Sequence, residues 1–173
     1  ELSRALLDLA AADTGLGAWA DARKSLSEAQ KLDGVDQAEL DEVTGRLELG
    51  QGHAEPAIAA LERALAAKKK VGELAAARVG SALAQAQLDA EKPAEALATL
   101  DGLDVVFLSH GLERPALEAQ MLKAQATWLA RPDEQAAAAQ TLVALLPKLS
   151  DTRRPALTAW LQRNSVTVDA GVP

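Results

Sequence analysis

The residues of this chain best suited by type to acid–base or nucleophilic chemistry are two histidines, one of them beside a serine. His53 lies in Gly52-His53-Ala54 and His110 in Ser109-His110-Gly111. Nucleophilic catalysis needs a hydroxyl aimed at an imidazole that a third group orients, and adjacency in sequence does not aim it. Neither a strained elbow nor a Gly-rich oxyanion loop accompanies the serine. Both histidines read as turn or loop residues, and they lie too far apart for the helical spacing of a zinc site. Four carboxylates, Asp36, Glu39, Asp41 and Glu42, come close together. A calcium loop would alternate oxygen ligands around a glycine and close on a glutamate, which this run does not do. Negative charge at the start of a helix, favoured by the positive end of its dipole, accounts for them. No phosphate-cradling Gly-Lys-Ser/Thr loop occurs. With no cysteine, thiolate catalysis, disulfides and Cys-based metal sites drop out together. The expectation is a chain that is not an enzyme, with no catalytic residue, cofactor or metal site.

Charge narrows the partners. Eighteen basic residues stand against 25 acidic ones, a formal net charge of −7. Affinity for nucleic acid comes mainly from cations that displace counterions, so nucleic-acid binding is not expected, and anionic lipid is disfavoured in the same way. The run Lys68-Lys69-Lys70 reads as a solvated helix end, where cations offset exposed carbonyls. No apolar run is long enough to cross a bilayer. The chain begins at Glu1 inside an amphipathic stretch and reads as a piece of a larger protein, cytoplasmic, or periplasmic if that protein carries a transmembrane anchor.

These residues must be positioned by helices. Ala22/Leu26/Ala29, Ala57/Leu61/Ala64, Ala96/Leu100/Leu103 and Ala138/Leu142/Leu145 each place apolar residues at i, i+4 and i+7, a stripe along one helical face. The leading alanines lie 35, 39 and 42 residues apart. Ahead of each stripe comes a turn signal: Gly15-Leu16-Gly17, Gly50-Gln51-Gly52, Glu91-Lys92-Pro93 and Arg131-Pro132-Asp133. Upstream of each turn a further helix is expected, over 2–14, 36–49, 73–90 and 115–130. A last amphipathic stretch holding Leu157, Trp160 and Leu161 would cover one end of the stack, and 165–173 has no helical period. Val105-Val106-Phe107-Leu108 interrupts the pattern, and the sequence leaves 105–111 open between helix and loop. Trp19, Trp128 and Trp160 are each expected to anchor their own hairpin.

On these residues the chain resembles the tetratricopeptide repeat family. Leu6, Leu9, Gly15, Trp19, Ala22, Leu26 and Ala29 fit a first unit, and Gly45, Gly52, Ala57, Leu61 and Ala64 a second, with Gly45 where the first helix of the pair presses on the next. The resemblance spans roughly 2–146, and departs from the pattern in lacking aromatics in the first helices and, in three units, the closing proline. It implies an all-α, right-handed superhelical array of about four antiparallel hairpins, at about 2–33, 36–70, 73–104 and 115–146, with a capping helix at 152–164.

The resemblance also implies a function. A concave surface lined by the first helices would present Glu42, Arg46, Arg78, Gln85 and Lys123 to a protein or peptide. The paired lysines and asparagines of a carboxylate clamp do not recur, so an acidic C-terminal tail is not expected as ligand. The expected role is a protein-interaction module, the sensor or scaffold region of a bacterial signalling protein such as a Ser/Thr kinase or a transcriptional regulator. The alternative is a homo-oligomerising element of the larger protein.

Overall fold

Gly17 and Gly52 both adopt the left-handed conformation, at φ 75 and 78, and the chain reverses at each in the same way. In a computed structural model that describes residues 1–166, every regular element is helical. The first unit, Glu1–Thr99, holds α1 (Leu2–Leu16), α2 (Trp19–Ala29), α3 (Gln37–Gly50), α4 (Ala54–Lys68), α5 (Glu73–Asp89) and α6 (Pro93–Leu100). From Leu100 a second unit holds α7 (Leu103–Ser109), α8 (Glu113–Ala130), α9 (Gln135–Leu145) and α10 (Arg154–Arg163).

One local device closes the odd-numbered helices of the first unit. One or two residues past each helix end the chain turns left-handed, and the next residue donates five residues back: Ala18 to Asp13 at 2.8 Å, His53 to Glu48 at 2.9 Å, Lys92 to Gln87 at 2.8 Å. This pattern satisfies carbonyls that a helix end leaves without partners, and it lets the next helix begin at once. Two of the three left-handed positions are glycine; the third is Glu91, at φ 59. The same bond recurs after α7, where Leu112 donates to Phe107 at 2.9 Å. Segment 105–111, open from sequence, is therefore helix through Ser109 and then this turn. The separate helix α7 was not expected, and α8 packs on α7 as well as on α9.

Within the first unit α1 packs on α2, α3 on α4 and α4 on α5; α3 lies against both α1 and α2, and α5 also against α3. Leu7 and Ala10, then Ala22, Leu26 and Ala29, then Leu40, Val43 and Leu47 form one buried cluster drawn from three helices. Ala57, Ile58, Leu61 and Ala64 of α4 meet Val79, Ala82, Leu83 and Ala86 of α5 in a second. Each fully buried leucine contributes on the order of 2 kcal/mol of transfer free energy, while the alanines bring the helix backbones close together. The closest approach is at Gly45, where a Cβ would lie 2.5 Å from Leu61 Cγ. Gly45 thus presses on the α4 stripe at the position expected from the sequence. Trp19 is half-buried against the first cluster, and its ring lies where a Cβ on Gly50 would be, 2.6 Å away. It therefore ties its hairpin to α3 of the next.

In the second unit Phe107, Met121, Leu122, Leu142, Leu145, Leu149, Leu157 and Leu161 are buried. A helix, α10, stands where 152–164 was expected to be helical, with the Trp160 ring edge-on to Trp128 of α8, centroids 5.4 Å apart at 80°. These two tryptophans anchor each other rather than separate hairpins. Of the expected irregular tail, Ser165 takes φ 55 and Val166 donates to Leu161 at 3.0 Å, closing α10; 167–173 lies outside the described residues. No helix among the described residues is long and apolar enough to cross a membrane.

Candidate functional site

Asp36 starts α3 by accepting from the backbone of Ala38 at 2.9 Å and Glu39 at 3.1 Å, an N-cap of the kind its short carboxylate makes well. The carboxylates that follow do more than offset a dipole. Asp41, buried, receives Arg63 of α4 through Nε at 3.1 Å and Nη2 at 2.7 Å, both on one oxygen. That hydrogen bonding holds the Arg63 guanidinium above its ordinary pKa, against an opposing effect of burial. Glu42 takes Arg46 on one oxygen at 3.2 Å and Lys68, the last residue of α4, at 3.5 Å on the other. Lys68 is thus drawn into an ion pair while Lys69 and Lys70 stay exposed.

Of the five residues expected on one surface, the structure brings Glu42, Arg46 and Arg78 together. Arg46 donates to the Arg78 carbonyl at 3.2 Å, which links α3 to α5. The Arg78 side chain itself is exposed and pairs with no carboxylate among the described residues. Gln85 lies about two turns further along α5 and donates to Asp89 at 2.8 Å. Partial burial pushes the Asp89 carboxyl above its usual value, and the bond from Gln85 works against that shift. Lys123 belongs to the second unit, on α8, where it lies 3.6 Å from Asp101. There it lines a groove of about 300 Å³ with Gln120, Ala124 and Thr127 of α8 and Ala137, Ala138 and Thr141 of α9. So four of the five residues lie on α3 and α5, three of them brought together, and Lys123 lines a groove in the second unit.

Neither histidine assembles a catalytic constellation with its neighbours. His110 Nδ1 lies 2.9 Å from the Val106 carbonyl, which can only accept, so that nitrogen carries the proton. Ser109 Oγ is 3.1 Å from the same nitrogen and itself donates to Val106 at 2.8 Å, so the imidazole takes no proton from it. His53 Nδ1 meets Glu48 at 2.7 Å, and Arg23 of α2 holds the other Glu48 oxygen at 3.2 Å while bonding Gln51 at 2.8 Å. The cluster clasps α2 to the α3–α4 turn, a link that sequence spacing did not disclose because its members lie up to 30 residues apart. No group of three or more His, Asp or Glu side chains suited to a metal occurs among the described residues. Set beside family models, curated proteins and solved structures, the chain matches none.

Proposed function

We propose that this chain is a non-catalytic interaction module of the tetratricopeptide-repeat kind, its hairpins stacked as a superhelical array within a larger bacterial signalling protein. It acts by offering the α3–α5 face, with Glu42, Arg46, Arg78 and Gln85, to a peptide or protein. The turn shared by α1, α3 and α5, and the way α3 and α5 each lie on both helices of the hairpin before, support a repeating architecture.

The observation that carries the site is the division of labour between its two arginines. Arg46 is held in place by Glu42 and by the Arg78 carbonyl, so it fixes the surface, whereas the Arg78 guanidinium stays exposed on a helix secured by that same bond. A positioned, unspent guanidinium is the kind of group that recognises carboxylates and carbonyls of a docked chain. Selection of peptides from a displayed library on the immobilised protein tests the reading. Peptides selected on the wild type should lose about ten-fold or more in affinity for Arg78→Glu, the worth of about 1.4 kcal/mol. A library that yields no binder, or binders indifferent to Arg78→Glu and to Gln85→Ala, contradicts it.

A further inference from the structure

The outer face of α1 carries a seam that the core does not use. Leu2, Ala5, Leu9, Ala12 and Leu16 follow one another at spacings of three and four residues, and all five are exposed. Leu2 is 64%, Leu9 50% and Leu16 82% open to solvent, while Leu7 and Ala10 on the opposite side are fully buried. That spacing is the a/d register by which one helix packs along another, and Leu alternating with Ala leaves hollows for a partner's leucines. Leu9, which the repeat resemblance assigned to the packed positions, lies in the seam. Over 15 residues the seam runs about 21 Å, the length of some four helical turns.

A groove of about 310 Å³ continues the seam toward α2, lined by Leu6, Leu9 and Asp13 of α1 and by Asp21, Lys24, Ser25 and Glu28 of α2. Charge along both borders has one prevailing sign. Glu1 and Asp8 flank the seam on one side, and Asp13, Asp21 and Glu28 on the other, against Lys24 alone in the groove and Arg4 further round the helix.

We infer that the α1 seam docks an amphipathic helix whose own Leu/Ala stripe is bordered by lysine or arginine. An α-helical face offers no unpaired backbone groups to an extended strand, so the partner is itself helical. A second copy of this chain fits poorly, because pairing α1 with α1 sets Asp8, Asp13, Asp21 and Glu28 against acidic borders of the same kind. The seam is separate from the α3–α5 face, and neither assignment depends on the other.

The probe is a labelled synthetic helix of about 20 residues with Leu at a, Ala at d and Lys at e and g, compared by fluorescence anisotropy with a twin bearing Glu at e and g. The lysine peptide should bind the wild type at least about ten-fold tighter than it binds Leu9→Ser/Leu16→Ser, and at least about ten-fold tighter than the glutamate twin binds. Asp8→Lys/Asp13→Lys should reverse the preference between the peptides, and Arg78→Glu should leave it unchanged. The leucines replaced are exposed, so the variants should unfold at the wild-type midpoint, as followed by circular dichroism. Lysine-peptide affinity untouched by the serine substitutions would mean charge attraction without a seam and would overturn the inference. So would sedimentation of the wild type as a dimer that Leu9→Ser/Leu16→Ser dissolves.

Discussion

Gly45 and Glu91 show how much of this fold rests on single positions. At Gly45 a methyl group would meet Leu61 Cγ at 2.5 Å and the Leu61 backbone nitrogen at 3.2 Å, inside a fully buried contact. Alanine normally stabilises a helix interior by up to about 1 kcal/mol over glycine. Overpacking a tight contact costs about 1–3 kcal/mol, so the clash wins here. Gly45→Ala should therefore lower the urea midpoint, and a midpoint equal to or above the wild type would show that α3 and α4 are not in this register. Glu91 is the converse case, a side chain in a left-handed turn that Gly17 and Gly52 occupy without strain. Glu91→Gly should raise stability by about 1 kcal/mol, measured by the same unfolding titration. Gly45 was legible in advance because its neighbours repeat. The strain at Glu91 was not, since the turn signal there was Pro93 and nothing in the residue type announces a positive φ.

At the scale of elements, helix positions followed closely from apolar spacing and turn residues, because a stripe and a cap are both local. What joins the helices was less visible. Asp36 could be read as part of an acidic helix start, but Asp41 with Arg63, Glu48 with Arg23 and Lys92 with Glu55 depend on which faces meet. α7 escaped notice because seven residues are too few to show a 3.6-residue period. The Lys92–Glu55 pair, with Nζ at 2.9 Å from one oxygen and 3.0 Å from the other, ties the α5–α6 turn to the start of α4. Hydrogen bonding to Glu55, aided by nearby carboxylates, raises the Lys92 pKa above its ordinary 10.5. A cation whose pKa is higher in the folded state stabilises fully below its unfolded value and loses that contribution as pH climbs through the folded one. Wild type should therefore be more stable than Lys92→Met at neutral pH, and the gap should close above the ordinary lysine value of 10.5. Urea midpoints measured at pH values on either side decide it; a gap that persists in alkali would assign the effect to packing of the lysine stem.

For the whole molecule, the predominance of acidic over basic residues is unevenly spent. Inside the first unit, carboxylates of α3 are neutralised by cations of α2, α3 and α4, which makes α3 the electrostatic centre of that unit. Arg78, exposed and paired with no carboxylate among the described residues, stands on the neighbouring helix α5, and that placement gives the α3–α5 face its proposed role. Of the candidate surface, the sequence told which helix each residue occupies, because periodicity fixes that. It could not tell that Arg46 also bonds the Arg78 carbonyl, or that Lys123 belongs with a groove between α8 and α9, since both facts arise from contacts between helices. The measurement that tests the central claim most directly is amide hydrogen exchange on the full chain, with and without a saturating display-selected peptide. Slowed exchange concentrated in α3 and α5, and abolished by Arg78→Glu, is the predicted result. Protection confined to α1, or to α8 and α9, with α3 and α5 unchanged, would contradict it.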